Sequence, residues 1–144
     1  MSTPYAGNIP AAARFARELI DAEVAVQNKM WEDDNARADC KDSQLMRAAM
    51  ASLDLVAIKE FSKLESHTAV KIAKDDFYPE DWSGFRDYGT KIANLVVAAA
   101  FIENEIKRCL AEGQDWTRAK RQPDQTYNPA TGLPKVSSEE AARQ

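Results

Sequence analysis

Three carboxylates on one expected helix are the residues best spaced to hold a metal. Glu18, Asp21 and Glu23 fall in the run ELIDAE. Acids three apart share a helix face. Hard oxygen ligands so placed suit a magnesium or manganese ion, which polarises phosphate and activates water. A metal-dependent hydrolase of phosphate compounds is the chemistry this spacing suggests.

All-α nucleoside triphosphate pyrophosphohydrolases of the MazG type use E-x-x-E on one helix and E-x-x-D on the next. The second pair is missing here, because Lys91 and Asn94 stand where it belongs. Asp54 and Glu60 are six apart and lie on different faces. A solvated helix face accounts for Glu18, Asp21 and Glu23 better. The pyrophosphohydrolase with magnesium or manganese is therefore the alternative reading.

A second constellation suits binding. The stretch DDFYPEDWSGF carries Phe77, Tyr78, Trp82 and Phe85, with Arg86 and Lys91 just beyond. Aromatic rings stack on bases or on protein side chains, and arginine pairs with phosphate or carboxylate. Tyr78, Trp82, Arg86 and Lys91 are the candidate ligand-binding residues, for a nucleotide-like molecule needing no cofactor. The plainer reading is that Tyr78 and Trp82 cover the open end of a helical bundle. Nucleophilic and zinc chemistry have little support. The one histidine, His67, has no fixed spacing to Cys40 or Cys109, and no C-x-x-C or H-x-x-x-H occurs. The five glycines are scattered, so no phosphate-cradling loop forms.

Bulk properties narrow the partners. The 144 residues carry a formal net charge of -4, which disfavours broad nucleic-acid binding. No apolar run approaches the ~20 residues needed to span a bilayer. The start, MSTPYAGNIP, lacks the pattern of a signal peptide. A soluble, cytoplasmic protein is expected.

Helical periodicity positions the candidates. A first helix is predicted over Ala11–Trp31, with Phe15, Leu19, Ala22, Val26 and Met30 as its stripe. A second is predicted over Gln44–Glu65, capped by Asp42 or Ser43, with a seam of Met46, Met50, Leu53, Ala57, Phe61 and Leu64 widened by Leu45, Ala49 and Val56. Ser66–Lys74 reads as a short helix or an extended crossing, and Asp75–Phe85 as a loop broken by Pro79 and Gly84. The central helix is predicted over Tyr88–Leu110, with Tyr88, Ile92, Leu95, Ala99, Ile102, Ile106 and Cys109 on one face. Its middle, LVVAAAFI, is apolar all round and must be surrounded by other chain. Gly113 marks its end. Beyond it, Gln114–Gln144 has few large aliphatics and three of the six prolines. That composition reads as an extended or disordered tail.

Two blocks resemble a known pattern. QNKMWEDDNARADCKDSQLMRAAMASL, Gln27–Leu53, is similar to Q…GWTPEHDD…GELA.AA..Y. EDWSGFRDYGTKIANLVVAAAFIENEIKR, Glu80–Arg108, is similar to W…W.P…RRDLVKAGALILAEIER. The pattern belongs to small phage and prophage accessory proteins of unsettled biochemical role. Trp31 stands for the family's Trp, Asp33 and Asp34 for its Asp pair, Asn94, Leu95 and Val96 for DLV, and Glu105, Ile106 and Arg108 for EI.R. The family's Thr-Pro and His are missing, and the Asp of DLV is Asn94 here. The resemblance implies a phage-type accessory protein in the host cytoplasm. It implies no particular reaction.

The combined expectation is an all-α domain over residues 1–113 and a flexible tail over 114–144. Three main helices form a bundle that dimerises to cover its apolar edges. The protein acts by binding a nucleotide-like small molecule or a host protein. A virion or assembly component, docking through its tail, is a further alternative.

Overall fold

The computed structural model describes residues 4–34, 43–120 and 130, with only the backbone for residues 30–34. Among the described residues four α-helices follow one another: α1 (Ile9–Asp34), α2 (Gln44–Phe61), α3 (Ser66–Phe77) and α4 (Lys91–Ala111). No strand occurs among the described residues, and the fold is all-α. The expectation of three main helices is corrected to four. None of the four is long and apolar enough to cross a membrane. Trp31, Asp33 and Asp34 have no described side chains, and Cys40 and Asp42 lie outside the described residues.

Local chemistry sets the boundaries. α1 starts two residues earlier than periodicity suggests, because the Asn8 side chain accepts the Ala11 backbone N–H at 3.1 Å. Tyr5 then stacks on Phe15, ring centroids 4.8 Å apart. Ser43 does not cap α2 with its side chain; it sits in the left-handed region. α2 stops at Phe61 rather than Glu65, because Lys63 takes φ 56 and turns the chain. The ambiguous segment after it is α3, which extends to Phe77. Tyr78 ends it in an extended conformation, as a residue before proline favours. Thr90 opens α4 by accepting the Ala93 N–H on its hydroxyl at 3.1 Å.

The chain divides into two compact units, Met1–Arg108 and Cys109–Gln144. In the second, Gly113 donates to Leu110 and Gln114 to Cys109 across a glycine at φ +84, the bond pair of a Schellman cap. Asp115 then accepts the Thr117 N–H and hydroxyl. The rest of the expected tail, residues 121–129 and 131–144, lies outside the described residues.

The core of the first unit is built from small side chains. Leu45, Ala48, Ala49, Ala51, Ser52 and Leu55 are the buried residues of α2. Ala69 and Ala73 of α3 pack against Leu55. Asn94, Val97, Ala98, Ala100 and Asn104 are buried on α4, and Val24 and Gln27 on α1. The expected seams are thereby corrected. Met46, Met50, Leu53, Phe61 and Leu64 of the α2 stretch are exposed, as are Tyr88, Ile92, Leu95, Ile102 and Ile106 of the α4 stretch. The reason is geometric: alanine faces leave space that aromatic rings from the connecting loop fill. Tyr78 packs on Ala48 and Ala51, with Phe77, Trp82, Phe85 and Phe101 against the same cluster.

Leu55, fully buried, is the largest aliphatic joining α2 to α3. Leu55→Ala should cost about 2–5 kcal/mol by urea unfolding. Phe61, 84% exposed, should change stability by less than about 0.5 kcal/mol when replaced by alanine.

Candidate functional site

The loop between α3 and α4 brings the charged and aromatic side chains together, and helix α2 holds it at both ends. Near its start, the Arg47 guanidinium donates to the Phe77 carbonyl at 3.0 Å. Gln44 donates to both Asp81 carboxylate oxygens at 3.2 Å. At its far end the Asp87 carboxylate collects four donors. Lys59 of α2 reaches one oxygen at 2.5 Å and the Ser66 hydroxyl of α3 the same oxygen at 2.7 Å. Asn94 of α4 reaches the other at 3.0 Å, with the Gly89 amide at 2.8 Å. Asn94 Oδ1 in turn accepts the Tyr88 N–H at 3.0 Å. Gly89, at φ +97, supplies the positive-φ turn into α4.

Burial alone would push the Asp87 carboxyl up. The bonds from Asn94, Lys59, Ser66 and Gly89 outweigh it and hold the group well below the usual carboxylate range. Tyr78 goes the other way. Burial pushes its hydroxyl up to about 12, Tyr88 adds to the shift, and a backbone hydrogen bond with Gly84 opposes it. Tyr78 is thus a neutral structural group at physiological pH.

Among the described residues, Arg86 and Lys91 border different clefts. Tyr78 is buried, its ring 4.8 Å from Phe85 and edge-on to Trp82 at 6.0 Å. Trp82 is half-buried against Leu45 and Phe101. These two rings cover the α2–α4 interior, the plainer role weighed above. Lys91 is exposed, bridges to Glu60 at 3.2 Å and borders a recess of about 90 Å³ with Val56, Lys59 and Asn94. Arg86 borders a different and larger cleft. Its guanidinium lies 4.8 Å over the Tyr88 ring. Glu23, Val26, Ser83, Gly84 and Phe85 complete a cleft of about 570 Å³.

Glu23 is the link to the acidic face of α1. Burial pushes its carboxyl up, against a hydrogen bond from Gln27 at 3.4 Å. Its neighbours on that face point to other partners. Asp21 is held by Arg17 at 2.8 Å, and Arg17 also pairs with Glu103 at 2.7 Å. Glu18 is exposed. Among the described residues no group of three or more His, Cys, Asp or Glu side chains could hold a metal ion. Asp54 and Asp76 form a carboxyl pair; burial first, then the hydrogen bond and charge of Asp76, push the Asp54 carboxyl up.

Periodicity could not single out Ser83, Tyr88 and Glu23 as cleft neighbours, because Glu23 lies on α1 and the other two on the loop between α3 and α4. Asn94, which stands where a second metal-binding pair would belong, holds the loop through Asp87. Comparison with known proteins adds no relative: no family profile, curated protein or solved structure matches the chain.

Asp87→Ala should lower stability at neutral pH by roughly 2–4 kcal/mol, since it leaves Lys59 and Asn94 without their acceptor. The folded carboxyl is depressed, so its contribution is present above the ordinary value of 3.8 and is lost as pH falls below it. Urea midpoints followed from neutral pH into acid should drop for the wild type and less steeply for the variant.

Proposed function

We propose that this chain is a phage-type accessory protein that works by binding a nucleotide-like small molecule rather than by catalysis. The observation that carries the reading is the Arg86–Tyr88 stack at the mouth of the Glu23–Ser83 cleft. About 570 Å³ falls within the usual range for small-molecule sites. Each element of a nucleotide has a counterpart there. Arg86 offers a charge-assisted fork for phosphate. The exposed Tyr88 offers a ring face for a base. Glu23 offers a carboxyl for the amino edge of a purine, and Ser83 a hydroxyl for the sugar. The Asp87 bonds fix the backbone that carries Arg86 and Tyr88, so ordering on binding costs little. The net charge of -4 favours a single anionic group over a polyanion. The resemblance of Gln27–Leu53 and Glu80–Arg108 to phage accessory proteins supports the phage-type setting and names no ligand.

Catalysis has weaker support. Asp21 is engaged by Arg17, and Lys91 and Asn94 are committed to Glu60 and Asp87, which leaves the alternative pyrophosphohydrolase without a second ligand pair.

The test is titration calorimetry with nucleoside mono-, di- and triphosphates, with and without magnesium or manganese, followed by chromatography of the nucleotide. Intact nucleotide should be retained. Arg86→Ala should weaken capture by roughly tenfold or more, and Tyr88→Ala by a similar factor. Lys91→Ala should leave it unchanged. Metal-dependent release of pyrophosphate, lost in Glu18→Gln, would instead establish the pyrophosphohydrolase.

A further inference from the structure

The Arg86 cleft meets a second recess, of about 380 Å³, between α1 and α4. Glu23, Val26 and Tyr88 line both. Arg86 and Ser83 line only the first, and Ala22, Ile92, Val96 and Val97 only the second. The second is walled by aliphatic side chains, and its polar ones are Glu23, Tyr88 and Thr90. Two charges near the junction lack counter-ions. Among the described residues the Glu23 carboxyl meets no cation, and its one hydrogen bond is a long one from Gln27 at 3.4 Å. Arg86 stacks on Tyr88 and pairs with no acid among the described residues. A half-buried carboxylate so placed needs donors, which a ligand or water must bring.

We infer that the second recess is a guanine pocket, in which the Glu23 carboxylate reads the edge of the base. This rests on the nucleotide-binding reading and names the base within it. The argument is the pattern of donors and acceptors. An ionised carboxylate only accepts, through two oxygens side by side. Guanine alone among the common bases sets two donors side by side, N1–H and the 2-amino group. Adenine places the acceptor N1 beside its amino group, and cytosine places N3 there. Uracil and thymine flank their one N–H with two carbonyls. Each of these would turn an acceptor toward the Glu23 oxygens. The guanine O6, next to N1–H, needs a donor. Thr90 has one: its hydroxyl oxygen accepts the Ala93 N–H at 3.1 Å, which leaves its own hydrogen to give. The apolar faces of the base suit the aliphatic walls of α1 and α4 and the Tyr88 ring. The phosphate then lies back across the junction, on the Arg86 side. Burial pushes the Glu23 carboxyl up, and two N–H donors from the base would favour its charged form again.

The test is calorimetric titration of the full chain, near neutral pH, with the monophosphates of guanosine, inosine and adenosine. Inosine differs from guanosine only in lacking the 2-amino donor. The guanosine compound should bind roughly tenfold or more tightly than either of the others, as a paired donor contact gives. Glu23→Gln puts a donor beside an acceptor, the match for the adenine edge. It should erase the guanine preference and shift it toward adenosine, whereas Arg86→Ala should weaken all three alike. A merely structural Glu23 would weaken all three alike when replaced. A wild type that binds the three equally, or prefers adenosine, overturns the guanine pocket and leaves nucleotide binding standing. A folded Glu23→Gln that keeps the full preference overturns it as well. A wild type that binds none of them at millimolar concentration overturns both the pocket and the reading beneath it. The wild-type comparison decides even where the variant fails to fold.

Discussion

One buried carboxylate sets the arrangement of the first unit. Asp87 has a side chain only 8% exposed, and a charge so placed must gather partners or lose its proton. It gathers them from α2, from the first residue of α3, from its own turn and from α4. Those bonds fix where the loop leaves the aromatic cluster and where α4 begins. Arg86 and Tyr88 flank Asp87 in sequence, so their backbone positions follow from the same bonds. The cleft that Arg86 and Tyr88 border is thus carried on a loop tied to three helices.

The second constraint is the size of the buried side chains. Alanines at Ala48, Ala51, Ala69, Ala73, Ala98 and Ala100 are almost inaccessible, and helices meeting through alanine come close. The remaining space is filled by Tyr78, Trp82, Phe85 and Phe101. That solution leaves the branched aliphatics of α4 outside, where they make a second surface. Buried alanines and exposed aliphatics thus lie on different faces of one helix. A polar pair sets that helix against α1: Asn104 donates to Gln27 at 3.0 Å, and Gln27 donates to the Val97 carbonyl at 3.4 Å.

The all-α class was legible because the long apolar periodicities have the period of a helix. The end of α4 was legible because Gly113 does what glycine does at a helix end. Which face of α4 turns inward was not. Periodicity shows that Ile92, Leu95, Ile102 and Ile106 share a face, and hydrophobicity then assigns that face to the interior. It cannot show that alanines backed by distant rings will outcompete them. The four candidate residues were legible in type, but not where the fold would put them. Arg86 borders a cleft, but Tyr78 and Trp82 serve the core. Glu23 joins Arg86 across more than sixty residues of sequence, which no local pattern can show. Asn94 looked like a defect in a metal motif because its partner, Asp87, lies one turn outside the helix.

The most direct test of this account is a two-dimensional amide NMR titration of the full chain with purine nucleotides. The account predicts chemical-shift changes concentrated at residues 83–89 and at Glu23 and Val26, with little change in the acidic face at Glu18 and Asp21. Shifts confined to Glu18 and Asp21, with manganese broadening the same amides, would contradict it. So would spectra that no nucleotide changes at millimolar concentration.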